Sequence, residues 1–139
     1  MAKLELLKPK VKCLAEQLIG ECGKNGIKII ISETRRSIGK QNELYAQGRT
    51  KPGEVVTNAK GGYSFHNYGV AFDFCPVVKN KAVWENVKLF ETIGAIGESI
   101  GLEWGGRWKK VIDRPHFQYT LGYTIDDFRK GSVDWHKFA

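Results

Sequence analysis

The chain lacks most of the features that would take it out of the class of ordinary globular proteins. It carries only three cysteines, Cys13, Cys22 and Cys75, an odd number that cannot pair off, so a disulfide scaffold is excluded and a reducing cytosol is the expected setting. Four prolines, no Pro/Ser-rich tract and no internal repeat leave no sign of a linker or a low-complexity tail. No apolar run approaches the ~20 residues that cross a bilayer, so membrane insertion is not expected. From Met1 to Pro9 the apolar residues are interrupted by Lys3, Glu5 and Lys8, which excludes a secretory signal and leads to the expectation of synthesis in the cytoplasm. Acidic residues are the scarce sign of charge, 15 against 22 basic ones, and the net charge of +7 points to an anionic partner. No Arg-rich tail or aromatic RNA-binding motif accompanies that charge, so nucleic acid is not the expected partner.

What is present suits one folded unit. Hydrophobic residues make up 42% and charged residues 27% of 139 positions, enough to bury a core without a structural metal. A single compact domain over residues 1–139 is expected, acting as a monomer and without a separate binding module. Leu7, Val11, Leu14, Ala15, Leu18, Ile19 and Cys22 recur at helical spacing, with Pro9 in the first turn and Gly23–Gly26 as the stop. Ile27–Ile31 has the β-branched richness of a buried strand, and residues about 39–47 suit a short helix. The Gly-, Pro- and Asn-containing stretch 48–63 reads as a long loop, a length that is usually functional. Val70–Cys75 alternates as a strand does, with Ala71, Asp73 and Cys75 on one face and Val70, Phe72 and Phe74 on the other. Trp84, Val87, Phe90, Ile93, Ile96 and Ile100 predict a second amphipathic helix. Trp104-Gly105-Gly106 reads as a turn, His116–Tyr119 as a last strand, and Thr124 with Asp127 as a helix cap. Without regular β-α-β alternation, the fold class is α+β with a mostly antiparallel sheet and helices packed on it.

The chemistry concentrates in His66, Asp73, Asp113 and His116. A carboxylate between Phe72 and Phe74 is costly to bury unless it is paired or metal-bound. His66 precedes it by seven residues across the Asn67-Tyr68-Gly69 turn, and His116 follows on another strand. Two imidazoles and one carboxylate suit one Zn²⁺ ion and leave its fourth position open, as catalysis requires. Asp113, three residues before His116 and next to the Pro115 turn, is placed to serve as general base. A His–Asp hydrogen-bonded pair and a turn acid paired with Arg114 or Arg107 are the plain alternatives. His136 reads as a surface histidine. The three cysteines read as small core or near-core residues, and no base is in evidence for a thiol mechanism at Cys75.

Ser64-Phe65-His66-Asn67-Tyr68-Gly69-Val70-Ala71-Phe72-Asp73 resembles the S-x-H-x-x-G-x-A-x-D signature of the LAS zinc peptidases, and Asp113-Arg114-Pro115-His116-Phe117 their D-x-P-H-F segment. That group comprises D-Ala-D-Ala carboxypeptidases, D-Ala-D-Ala dipeptidases and L-alanyl-D-glutamate endopeptidases. Leu44–Thr50 and Val56–Gly62 are similar to the endopeptidase branch found in phage endolysins and bacterial wall hydrolases. The resemblance runs from about Ile31 to Tyr119 and implies a hedgehog/D-Ala-D-Ala-peptidase-like fold. It further implies His66, Asp73 and His116 as zinc ligands, Asp113 as catalytic base and Arg36 as oxyanion ligand. Arg35 stands directly before Arg36, and the pattern does not choose which of them faces the site. Gln41 and Ser64 are implied as substrate-positioning residues and Trp104 as a wall of the cleft.

The substrate implied is the stem peptide of peptidoglycan, cut between L-Ala and D-Glu, with anionic wall polymers attracted by the positive charge. Release to the wall through a phage holin is the route the resemblance implies. The rival readings are a D-Ala-D-Ala carboxypeptidase or dipeptidase with the same zinc chemistry, and a non-catalytic wall-binding domain.

Overall fold

The computed structural model describes residues Met1–Ala139. Helix α1 (Pro9–Lys24) opens with proline in its first turn and turns Val11, Leu14, Ala15, Leu18 and Cys22 inward. The chain reverses at Gly26 (φ 71°) into strand β1 (Lys28–Glu33). Helix α2 (Ile38–Ala46) starts at Ser37, whose Oγ accepts from the Lys40 amide. After the long loop, a single 3₁₀ turn (Phe65–Tyr68) leads into β2 (Ala71–Val78), and β3 (Lys81–Ala82) returns along it. Helix α3 (Val87–Ser99), β4 (Glu103–Trp104), β5 (His116–Gln118) and α4 (Ile125–Lys130) complete the set.

The five strands form one antiparallel sheet in the order β1-β2-β5-β4, with β3 paired to the far end of β2. The α+β class and the antiparallel sheet expected from the sequence are both present. β2 is the spine: β1 runs along one edge, β5 and β3 share the other. Phe72 and Phe74 of β2 and Phe117 of β5 join Ile31, the α1 stripe and Phe90 and Ile93 of α3 in one core. Phe74 stacks on Phe117 with ring centroids 4.9 Å apart. Each such ring contributes roughly 1.5–3 kcal/mol by leaving water. That burial anchors the sheet on its helix face and leaves the opposite face for other work.

Four details differ from the sequence reading. α3 begins at Val87 because the Asn86 side chain accepts from the Leu89 amide and caps it there, so Trp84 falls outside the helix and stands 55% exposed. β2 continues through Pro76 to Val78 and turns at Lys79-Asn80, both in the left-handed region, to form an unforeseen hairpin with β3. Trp104 belongs to a short strand because its backbone pairs with Phe117. Cys13 is exposed, while Cys22 and Cys75 are buried as expected. Burial, aided by Glu21, pushes the Cys22 thiol up to about 11, so it stays a neutral core group.

Helix α3 lies close to the sheet because it presents glycine there. A Cβ at Gly97 would sit 2.3 Å from the Phe117 ring, and one at Gly94 2.3 Å from the Trp104 ring. Gly97→Ala should therefore destabilise the protein by about 1–3 kcal/mol through overpacking, despite the better helix propensity of alanine. Urea unfolding followed by circular dichroism measures this. Unchanged or increased stability would show that the helix–sheet spacing yields freely.

Candidate metal centre

β2 alternation sends Phe72 and Phe74 into the core and leaves Asp73 on the opposite face. The register then sets its neighbours: Asp73 pairs with His116 of β5 on one side and with Glu33 of β1 on the other. An irregularity between Ile31 and Glu33 brings Glu33 opposite Asp73, a use of bulges common beside active sites. His66 arrives from the 3₁₀ turn. Ser64 Oγ accepts from the His66 amide, Asn67 closes a capping box, and Gly69 (φ 73°) releases the chain into β2. The Arg36 amide donates to the His66 carbonyl at 3.0 Å, which ties the turn to the segment after β1.

His66 Nε2 lies 3.1 Å and His116 Nδ1 3.3 Å from the same Asp73 oxygen, and the three ligand atoms fall within 4.8 Å of one another. The outward nitrogens are engaged. His66 Nδ1 is 2.8 Å from the Thr34 carbonyl oxygen, which can only accept, so this nitrogen carries the proton. His116 Nε2 is 2.9 Å from Gln118 Oε1 and donates to it. The neutral rings therefore aim two lone pairs at a carboxylate, an arrangement that repels itself unless a cation sits among them. The donor set, two imidazoles and a carboxylate, fits zinc.

A proton competes with a cation for that role. Burial alone would raise the Asp73 carboxyl, yet the adjoining His116 and His66 outweigh it and hold the group well below the usual carboxylate range. Burial likewise lowers His116, but its contacts with Asp73 prevail and raise it above its ordinary 6.5. The ion must displace that proton, so zinc affinity should be full above the raised His116 value. Below it, affinity should fall by about tenfold per pH unit. Competition against a chelator between pH 8 and 5.5 reads this directly. An affinity flat across that range would remove His116 from the ligand set.

The three residues lie in a cleft of about 640 Å³ that Arg36, Asp113 and Ser64 also line. Asp113 Oδ2 stands 3.9 Å from His116 Nδ1 and is half exposed. Burial raises its pKa; Asp73 adds to that rise, while His116, His66 and Arg36 oppose it without cancelling it. The Asp113 amide donates to the Gly105 carbonyl at 3.0 Å, and a Cβ at Gly105 would meet the Asp113 carbonyl oxygen at 2.4 Å. Glycine is needed there for the Asp113 turn to close.

Arg36, not Arg35, lines the cleft; Arg35 is exposed. Arg36 Nε donates to Glu33 at 2.7 Å, Nη2 to the other Glu33 oxygen, and Nη1 to Gln41 Oε1 at 2.8 Å. Gln41 is fully buried and does not line the cleft; its Nε2 donates to the Ala59 carbonyl at 2.7 Å. It braces Arg36 against the long loop. Ser64 both caps the His66 turn and lines the cleft. Trp104 is buried against Gly94 with Nε1 donating to Arg114, so the cleft wall expected of it is supplied by Trp108, whose ring centroid is 5.2 Å from that of His116. No motif marks Trp108, Glu33 or Gln118. The only trace of Glu33 in the sequence is an acid at a strand end three residues before Arg36.

Known proteins resemble this chain in sequence and fold. A family model described as D-alanyl-D-alanine carboxypeptidase matches residues 57–119, a span that holds His66, Asp73, Asp113 and His116. Peptidoglycan L-alanyl-D-glutamate endopeptidase CwlK of Bacillus subtilis is 41% identical over 121 residues, 81% of this chain and 72% of the relative. The L-alanyl-D-glutamate peptidase of Listeria phage A118 is 32% identical over 95% of this chain, which spans 45% of that longer protein. Among solved structures, the Serratia marcescens L-Ala D-Glu endopeptidase ChiX superposes with a TM-score of 0.66 at 23% identity, covering 85% of this chain and 84% of that one. The shared sequence shows the family, and the motif resemblance and the convergent His-Asp-His group agree with it: the chain belongs to the family of peptidoglycan L-alanyl-D-glutamate endopeptidases, which are zinc peptidases.

Proposed function

We propose that this protein hydrolyses the amide between L-Ala and D-Glu in the peptidoglycan stem peptide, with one zinc ion held by His66, Asp73 and His116. The observation that carries the reading is the presence of a raised carboxyl, Asp113, and a braced guanidinium, Arg36, in the same cleft as those three residues. The printed activities of the Bacillus and phage relatives support the choice of bond. When bound, zinc supplies Lewis acidity to a carbonyl oxygen and lowers the pKa of water in its coordination sphere.

The chain's own residues do the rest. Asp113 takes the proton of the water that attacks the scissile carbonyl carbon, then passes it to the amine nitrogen as the C–N bond breaks. Its raised pKa suits both transfers, because a carboxyl nearer neutrality is a better base and a usable acid. Arg36 spends three of the five guanidinium N–H donors on Glu33 and Gln41, which leaves two for the oxyanion. Glu33 and Gln41 hold the fork in place, so the donors are organised before the substrate arrives. Ser64 and Trp108 position the peptide. Trp104 acts from beneath, as packing.

Asp113→Ala should keep zinc bound while kcat falls by about 10³-fold or more. Steady-state cleavage of purified muropeptides, paired with metal analysis, reads both quantities, and near-normal turnover would remove the proposed base. The family model's description favours one second reading, a D-Ala-D-Ala carboxypeptidase. Mass spectrometry separates the two: new N-terminal D-Glu, abolished by chelator and restored by zinc, supports the endopeptidase, whereas loss of terminal D-Ala supports the rival.

The proposal extends to partners and place. A monomer of net charge +7 is drawn to the anionic polymers of bacterial walls, rather than to nucleic acid or a membrane. It acts at the wall, reached from the cytoplasm through a holin-type pore, and its single domain carries the catalysis. Sedimentation with purified walls should weaken steeply as salt rises from about 50 to 300 mM, the range over which charges become screened. Binding that ignores salt would show that charge does not recruit the protein.

A further inference from the structure

His116 differs from His66 in how its outward nitrogen is held. Thr34 offers His66 a backbone carbonyl, which can only accept. His116 Nε2 instead meets the side-chain amide of Gln118, which offers an acceptor at one end and a donor at the other. The two ends have nearly the same shape, so packing alone does not choose between them. If the amide faced His116 with its NH₂ end, Nε2 would have to accept, the neutral ring would carry its proton on Nδ1, and the nitrogen beside Asp73 would be closed to a cation.

One residue removes the ambiguity. Glu103 on β4 pairs directly across from Gln118 on β5. Its Oε2 lies 3.1 Å from Gln118 Nε2, and its Oε1 accepts from Thr120 Oγ1 at 2.9 Å. A carboxylate offers no donor, so it captures the NH₂ end and turns Oε1 toward His116. The two groups it holds, Gln118 and Thr120, are only 6% and 4% exposed, while Glu103 itself stands exposed at the sheet edge.

We propose that Glu103 is a positioning residue that sets the hydrogen-bond direction Glu103←Gln118←His116, and so keeps His116 Nδ1 free for the metal. This inference rests on the reading of His116 as a zinc ligand.

The test is a set of variants compared for zinc affinity by chelator competition, with folding checked by circular dichroism. Glu103→Gln allows both amide directions, and Glu103→Lys, a donor only, enforces the wrong one. Affinity should fall about 3–10-fold for the first and about 10–100-fold for the second, the span seen when outer partners of metal-binding histidines are lost. The double variant Glu103→Gln/Gln118→Glu moves the acceptor-only group one strand inward and should return affinity to within about threefold of the parent. Turnover per bound zinc should stay near the parent value in Glu103→Gln, since the residue touches no substrate. His116→Ala is the control. If it keeps full affinity, the ligand reading fails; if it loses zinc while both Glu103 variants bind like the parent, the direction-setting role alone is overturned. Should Glu103→Lys fail to fold, Glu103→Gln and the double variant decide, and a double variant no tighter than Glu103→Gln overturns the proposal.

Discussion

Everything in this protein's chemistry depends on two imidazole lone pairs and a carboxylate being made to face one another. Left alone, such groups separate or trap a proton. Here separation is prevented by covalent and hydrogen-bonded geometry: Asp73 and His116 are cross-strand partners, and His66 is held by the Thr34 carbonyl behind it. A proton competes with the metal for these groups, and their mutual contacts pull Asp73 down and push His116 up. The sheet is the source of the constraint. Phe72, Phe74 and Phe117 lock its other face into the helices, so the strand carrying Asp73 cannot turn its acid away to relieve the repulsion.

The same sheet organises the second layer of charge. The irregularity in β1 sets Glu33 beside Asp73, and Glu33 then binds Arg36 by both oxygens. A carboxylate, an arginine and the His-Asp-His group thus alternate in sign across a few ångströms. Asp113 enters from a loop whose closure depends on Gly105, and its environment leaves it a weaker acid than Asp73. Two aspartates in one cleft are driven apart in pKa by their neighbours. That difference suits one to the ligand role and the other to the proton-carrying role proposed for them.

Much of this was legible in residue order. The helix stripe of α1, the β-branched run of β1 and the alternation around Asp73 were readable because each is a local pattern of fixed period. The metal residues stood out because an acid flanked by phenylalanines needs a partner, and the histidines lay within the S-x-H-x-x-G-x-A-x-D and D-x-P-H-F patterns. Less legible were choices between equivalent neighbours. Arg35 and Arg36 differ only in which side of a bend they occupy. Trp104 and Trp108 lie four residues apart, and only the fit of Trp104 against Gly94 sends one to the core and leaves the other in the cleft. The start of α3 at Val87 hung on a single capping side chain, Asn86.

By itself the amino-acid order determined the class of the protein: a basic α+β chain with two histidines and two aspartates spaced for a zinc hydrolase. Those features are carried by local periodicity and residue chemistry, which need no knowledge of what lies across the sheet. Tertiary structure alone decided which arginine reaches the cleft, which tryptophan walls it and which nitrogen of each histidine is left open. Such choices depend on contacts between residues distant in sequence, Thr34 with His66 and Glu103 with Gln118, whose register exists only once the strands have paired.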